Sequence, residues 1–215
     1  MLLKAILFDL DGVITDTAAY HFKAWSWLAE KYQLQLEPDV ETRLKGISRL
    51  DSLKIILQES NVPVGCYAEE KMEKMCIEKN DYYKKLISMM TPQDILPGIE
   101  PFLKEARRAD IRIGLASASQ NGSYILDKIG LRSCFDTIVD PSLLIKGKPD
   151  PEIFIKCAHQ LGVPLENCVG IEDAAAGVEA INAAGILSVG IGSDIELKAA
   201  QIILPSTQQL KLNIF

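Results

Sequence analysis

Short apolar runs recur along the chain, and each is stopped by a polar residue and separated from the next by a stretch with helical periodicity. Residues 4–8 (KAILF) run into Asp9, residues 111–116 (IRIGLA) into Ser117-Ala118-Ser119, and residues 168–171 (CVGI) into Glu172-Asp173; residues 187–191 (LSVGI) and 202–204 (IIL) follow. Helical patterns occupy about 98–109, 121–129, 151–161 and 174–184. Strands alternating with helices of that length predict right-handed βαβ units and a parallel sheet. Ligands of such sheets collect at the carboxyl ends of the strands, so the polar residues that end these runs are expected to converge on one edge. The fold class this predicts is α/β, a Rossmann-like parallel-sheet core.

Residues 16–90 break the alternation. After Asp16, read as an N-cap, Phe22, Trp25, Leu28, Ala29 and Tyr32 recur at helical spacing. A second helix is predicted over about 49–59, with Ser48 and Asp51 forming a start that resembles a capping box, and a third over about 67–89. An all-helical block between the first strand and the rest of the α/β pattern reads as a small inserted cap domain, residues 15–91, with residues 1–14 and 92–215 forming the core. Its joints fall near Ile14–Thr15 and Met90–Pro92, beside the expected site, which suits a cap that opens and closes.

Composition narrows the function classes. The 215 residues are 48% hydrophobic and 24% charged, as in an ordinary globular enzyme, with a net charge of −6. No Lys/Arg run has the density of a nucleic-acid or anionic-membrane surface, so the expected partners are small molecules. The five cysteines show no C-x-x-C pair, and with only His21 and His159 beside them a zinc site is not expected. Reduced cysteines point to the cytoplasm. No apolar stretch approaches the ~20 residues of a membrane span. The N-terminal LLKAILF, interrupted by Lys4 and ending in acids, does not read as a secretory signal.

The chemistry lies in the residues that stop the strands. Asp9 and Asp11 at alternate positions after a buried strand would present two carboxylates on one side of the chain, and like charges that close call for a cation between them. A strand-end carboxylate can attack phosphorus to form an acyl phosphate. Anion attacking anion needs charge neutralised, and Mg²⁺ takes carboxylate, water and phosphate oxygens; Asp9 and Asp173, with the Asp11 carbonyl, could supply the protein's share. Asp11 suits general acid–base work. Ser117 and the amides after it could hold a phosphate at a helix start, and Lys148 could neutralise an anionic transition state. Glu172 could orient Lys148 or a metal-bound water. Asp150 is read as capping a helix whose first position is Pro151. Each feature also has a plainer reading: a solvated turn, a serine N-cap, a surface lysine. The G-I-G at 190–192 lacks the third glycine of a dinucleotide fingerprint, and neither G-x-x-x-x-G-K-[ST] nor G-x-S-x-G occurs. Trp25 and Trp27 read first as packing residues.

Together, FDLDGVITDT (8–17), the serine of SAS (117–119), the lysine of KGKPDP (146–151) and IEDAAAG (171–177) resemble the haloacid-dehalogenase-like superfamily, and the D-x-D pair resembles its phosphoryl-transfer members. DTAAYHFKAW (16–25), LKGISRLDSL (44–53), EKNDYY (78–83) and ASASQNG (116–122) resemble the β-phosphoglucomutase family within it. That resemblance implies interconversion of β-D-glucose 1-phosphate and D-glucose 6-phosphate through a phospho-aspartyl enzyme and β-glucose 1,6-bisphosphate. It makes Asp9 the nucleophile, Asp11 the acid/base, and Asp9, Asp11, Glu172 and Asp173 the site of one Mg²⁺. Ser117, Ala118 and Lys148 would hold the transferring phosphate. His21 and Lys79 would couple closure to catalysis. Thr17, Lys45, Gly46 and Ser52 would line the sugar pocket, with Trp25 in the same substrate-binding set. Arg49, Ser119 and Asn121 would grip the other phosphate. One departure is Gln120, where the family commonly has lysine, which implies a weaker bisphosphate hold. The expected partners are sugar phosphates, with neither nucleic acid nor membrane, and the expected state is a monomer. A sugar-phosphate phosphatase with the same core is the rival enzyme reading, and a catalytically silent sugar-phosphate-binding protein is the reading from another class.

Overall fold

The structure, a computed structural model, describes residues 2–37, 40–63 and 65–215. The chain forms two compact units, Met1–Asp16 with Met90–Phe215, and Thr17–Met89.

In the first unit, strands β1 (Ala5–Phe8), β2 (Arg112–Leu115), β3 (Thr137–Ile138), β4 (Cys168–Glu172), β5 (Leu187–Ile191) and β6 (Ile202–Leu204) build one sheet in the order β3-β2-β1-β4-β5-β6, with every pair parallel. Continuous apolar runs suit a sheet covered on both faces, and β1 and β4 are buried along their whole length. Helices α5 (Ile99–Arg108), α6 (Gly122–Lys128), α7 (Glu152–Leu161) and α8 (Ala175–Ala183) join the strands. On α7 the buried residues Ile153, Phe154, Cys157, Ala158 and Leu161 form one stripe at helical spacing. Phe8 meets Phe102 and Phe135 edge to face, with centroids 6.1 and 6.0 Å apart.

The register decides where chemistry can sit. Phe8 lies opposite both Leu115 and Ile171, so β1 and β2 end level and β4 runs one residue further, to Glu172. The next residues, Asp9, Ala116-Ser117 and Glu172-Asp173, share one edge. Order 3-2-1-4-5-6 places that edge at the reversal of the winding, where open α/β sheets keep their ligands.

The second unit contains α1 (Ala18–Tyr32), α2 (Val40–Arg43), α3 (Arg49–Glu59) and α4 (Glu69–Ile87). Trp25, Leu28, Val40, Leu53, Ile56, Leu57, Met75 and Cys76 form a core of its own. The Ser48 hydroxyl accepts the Asp51 N–H at 3.1 Å and donates to the Asp51 carboxylate at 2.6 Å, fixing the start of α3. Among the described residues, no helix is long and apolar enough to cross a membrane.

Local readings differ from the structure in places. Thr17, not Asp16, occupies the cap position of α1, and no side-chain cap bond forms there. Pro151 is the cap residue of α7 rather than its first turn, although Asp150 still accepts the Glu152 N–H at 3.1 Å. Strand β3 was absent from the pattern, since two half-buried residues between Asp136 and Asp140 are too short a run to register.

Candidate active site

Asp9 directly continues β1, and its N–H still donates to the Ile171 carbonyl at 2.9 Å. The chain then leaves the sheet. Ile14 N–H returns to the Leu10 carbonyl at 2.8 Å and Gly12 takes a positive φ of 70°, so Asp11 sits in a turn rather than on a strand. Strand alternation is therefore not what places Asp11. The turn is, with the Asp11 N–H donating to the Asp9 carboxylate at 3.1 Å. Buried Leu10 anchors it from below. A Cβ on Gly12 would collide with the Asp173 carboxylate, so glycine serves both the left-handed backbone and the close approach of β4.

Lys148 reaches this edge from the loop before α7. Its ammonium donates to Asp9 at 2.6 Å and to Glu172 at 2.5 Å, and it lies 5.1 Å above the Phe154 ring. Its side chain is fully buried. Burial pushes the lysine toward the neutral form, but the Asp9 and Glu172 carboxylates outweigh it and raise its pKa above the usual lysine value. Glu172 is equally enclosed. Burial pushes its carboxyl up, while Lys148 and the N–H groups of Asp173 and Ala174 at 2.9 and 3.0 Å hold its charge. The floor beneath it is Gly177 of α8, where a Cβ would run into that carboxyl.

Asp9, Glu172 and Asp173 bring carboxylate oxygens within 4.8 Å of one another, a donor set suited to a hard cation. Asp11 is not in that cluster through its carboxylate. Ser117 is buried, and its hydroxyl accepts the Ser119 N–H at 3.2 Å, as Ser119 accepts that of Asn121 at 3.3 Å. These serines make a stepped turn. Helix α6 begins only at Gly122, so Ser117 is not at a helix start as expected. Ala118 and Ser119 are half-buried, Asn121 is buried and Gln120 is exposed.

In the helical unit, two i,i+4 pairs meet: His21 and Trp25 on α1, and Lys79 and Tyr83 on α4. The buried Lys79 ammonium lies 2.7 Å from His21 Nδ1, 4.8 Å from the Trp25 ring centre and 4.7 Å from that of Tyr83. An ammonium can only donate, so His21 Nδ1 accepts and the imidazole carries its proton on Nε2. Burial first, then the charges of Lys79 and Arg49, hold His21 well below its ordinary pKa. The Tyr83 hydroxyl donates to Thr17 Oγ1 at 2.9 Å while its ring packs on His21 with centroids 4.0 Å apart. Arg49 donates to Asn80 at 2.9 Å. Ser52 is buried and donates to the Ser48 carbonyl at 3.0 Å. Lys45 and Gly46 lie in the turn before α3, Gly46 at φ 72°. Sequence reasoning quoted EKNDYY (78–83) but gave a role only to its Lys79; Asn80, and Tyr83 one helical turn beyond Lys79, were assigned none.

A model of haloacid dehalogenase-like hydrolases matches residues 3–185. The β-phosphoglucomutase of Bacillus subtilis is 45% identical over 212 residues, covering 99% of this chain and 93% of that protein. The chain belongs to the haloacid dehalogenase-like family. A crystal structure of the β-phosphoglucomutase of Clostridium difficile superposes with a TM-score of 0.96 at 46% identity, covering 99% of this chain and 95% of that one. A phosphorylated-carbohydrate phosphatase of Thermotoga maritima is 28% identical, covering 86% of this chain and 82% of that protein. The family fold and the site geometry agree that this chain is an enzyme of phosphoryl transfer.

Proposed function

We propose that the chain is a β-phosphoglucomutase, interconverting β-D-glucose 1-phosphate and D-glucose 6-phosphate through phosphorylated Asp9 and β-glucose 1,6-bisphosphate. The phosphoryl-transfer part of this reading is carried by the constellation of buried Asp9, Lys148 and Glu172 with half-buried Asp173 at the sheet edge, and the mutase part by the 45% identity to a β-phosphoglucomutase over 99% of this chain. Asp9 attacks phosphorus, forming an aspartyl phosphate as the bond from phosphorus to the sugar oxygen breaks. Asp11 supplies the proton to that oxygen. In the second half-reaction Asp11 takes the proton from the attacking sugar hydroxyl and the phosphoryl group leaves Asp9. Lys148 and Ser117 bind the transferring phosphate and spread its charge. The helical unit contributes His21, Lys79, Thr17, Lys45, Gly46 and Ser52 for the sugar, with Trp25 behind Lys79. Arg49, Ser119 and Asn121 bind the second phosphate, which Arg49 suits by its planar fork of donors.

The three clustered carboxylates carry more negative charge than Lys148 offsets, which fits a divalent cation held by Asp9 and Asp173, with Glu172 beside it and the Asp11 carbonyl as a further ligand. Mg²⁺ bound there supplies charge neutralisation for the anionic phosphate.

The test supplies β-glucose 1-phosphate, Mg²⁺ and a trace of the bisphosphate, and follows glucose 6-phosphate and free phosphate in parallel. Rapid glucose 6-phosphate with little free phosphate is expected. Free phosphate without glucose 6-phosphate would make the chain a phosphatase. Asp9→Asn should abolish both products, with a loss of at least ~10⁴-fold.

A further inference from the structure

Lys148 sits on a loop with little apolar anchorage. Leu143 and Ile145 are 70% and 90% exposed, and Leu144 between them is the residue of this stretch that packs against the core. The loop is gripped from the first turns of α7. Glu152 Oε2 accepts the main-chain N–H groups of Ile145 and Lys146, both at 2.9 Å. Glu152 Oε1 takes the Lys156 ammonium at 2.8 Å, one turn along the same helix, and that ammonium also donates to the Leu143 carbonyl at 2.7 Å. One carboxylate and one ammonium thus hold the donors and the acceptor of a single loop turn. Lys156 first, then the Lys146 N–H, holds Glu152 below the usual carboxylate range, so the grip persists at neutral pH. Two residues past Lys146, the Lys148 side chain runs inward to Asp9 and Glu172.

We propose that Glu152, assisted by Lys156, is a positioning residue for phosphoryl transfer: it fixes the loop so that the Lys148 ammonium reaches Asp9 and the transferring phosphate, and it touches no substrate itself. The inference rests on the role given to Lys148 above. Because the lysine acts when the phosphate is in transit, a loosened loop lowers kcat more than it raises KM.

The experiment is a double-mutant cycle on the full chain, with kcat and KM for β-glucose 1-phosphate at saturating bisphosphate. Glu152→Ala should lower kcat by roughly 10–100-fold with KM within about threefold, and Glu152→Gln, which keeps the acceptor oxygen, should recover to within about fivefold of the parent. Lys156→Ala should lie between them. In a Lys148→Ala background, where the rate is already down ~10³-fold, adding Glu152→Ala should cost less than about twofold more. A parental kcat in Glu152→Ala, or the full single-mutant loss repeated in the Lys148→Ala background, overturns the inference while leaving the proposed function standing. A parental rate in Lys148→Ala instead removes the role of Lys148, and with it this inference. Should Glu152→Ala fail to fold, Glu152→Asp takes its place; the charge is kept but the side chain is one methylene too short to span the turn.

Discussion

Among the described residues two lysines are buried, one in each unit, and their surroundings differ. Lys148 is held by formal charge, between the Asp9 and Glu172 carboxylates. Lys79 faces two aromatic rings and a histidine nitrogen. The first arrangement is polarised, with carboxylates that suit a metal ion and one fixed cation that suits the phosphate. The second sets an ammonium against two ring quadrupoles and an imidazole nitrogen. A site that must assemble charge around a reacting phosphorus needs the first kind.

Replacing each lysine by methionine, a shape-preserving neutral side chain, tests that contrast most severely. Lys148→Met strands two buried carboxylates and should lose about 3 kcal/mol of unfolding free energy as well as ~10³-fold in kcat. Lys79→Met removes two ring contacts and the bond to His21, and its main effect should be a raised KM rather than a lowered kcat. Steady-state kinetics on both variants read this directly, with urea unfolding for Lys148→Met; a kcat loss in Lys79→Met as large as that in Lys148→Met would erase the distinction.

A smaller effect probes the packing under the charged centre. Gly177→Ala puts a methyl group where the Glu172 carboxyl lies, so the acid must move and Lys148 with it. A kcat lower by about tenfold and a higher Mg²⁺ concentration for half-maximal rate are expected, with the helical unit's spectroscopic signature unchanged. Unaltered kinetics would mean that α8 yields without disturbing the acid.

The smallest effect belongs to the other unit. His21 is held well below 6.5, by burial, then Lys79, then Arg49, so below that pH the unfolded chain binds a proton that the folded chain refuses. The stability supplied by the neutral ring is therefore present above pH 6.5 and lost as pH falls beneath it. Between pH 7 and pH 5.5 the parent should lose about 1 kcal/mol more unfolding free energy than His21→Gln. Parallel pH profiles would show that His21 protonates freely in the folded state.

The sheet was readable because buried parallel strands announce themselves as unbroken apolar runs, and Asp9, Ser117 and Glu172 were readable because they end those runs. Strand β3 was not, since Thr137 and Ile138 owe their conformation to pairing with β2 rather than to their own pattern. Tertiary context also hid the grip of Glu152 on the Lys148 loop, which consists of hydrogen bonds to main-chain groups that no side-chain pattern encodes. Tyr83 looked like one more aromatic on a polar helix. Only the packing of α4 against α1 shows its hydroxyl on Thr17 and its ring on His21. The glycines at 12 and 177 could be read for backbone freedom, but not for the carboxylates that take up their missing side chains.

The register of β1, β2 and β4 carries a consequence for how activity is gained and lost. Residues 9, 117 and 172 come from segments far apart in the chain, and their strands are brought side by side by the pairing of Phe8 with Leu115 and Ile171. Lys148 joins Asp9 and Glu172 from the loop before α7. Turnover is therefore expected to report on the pairing of the central strands as well as on the chemistry at their ends.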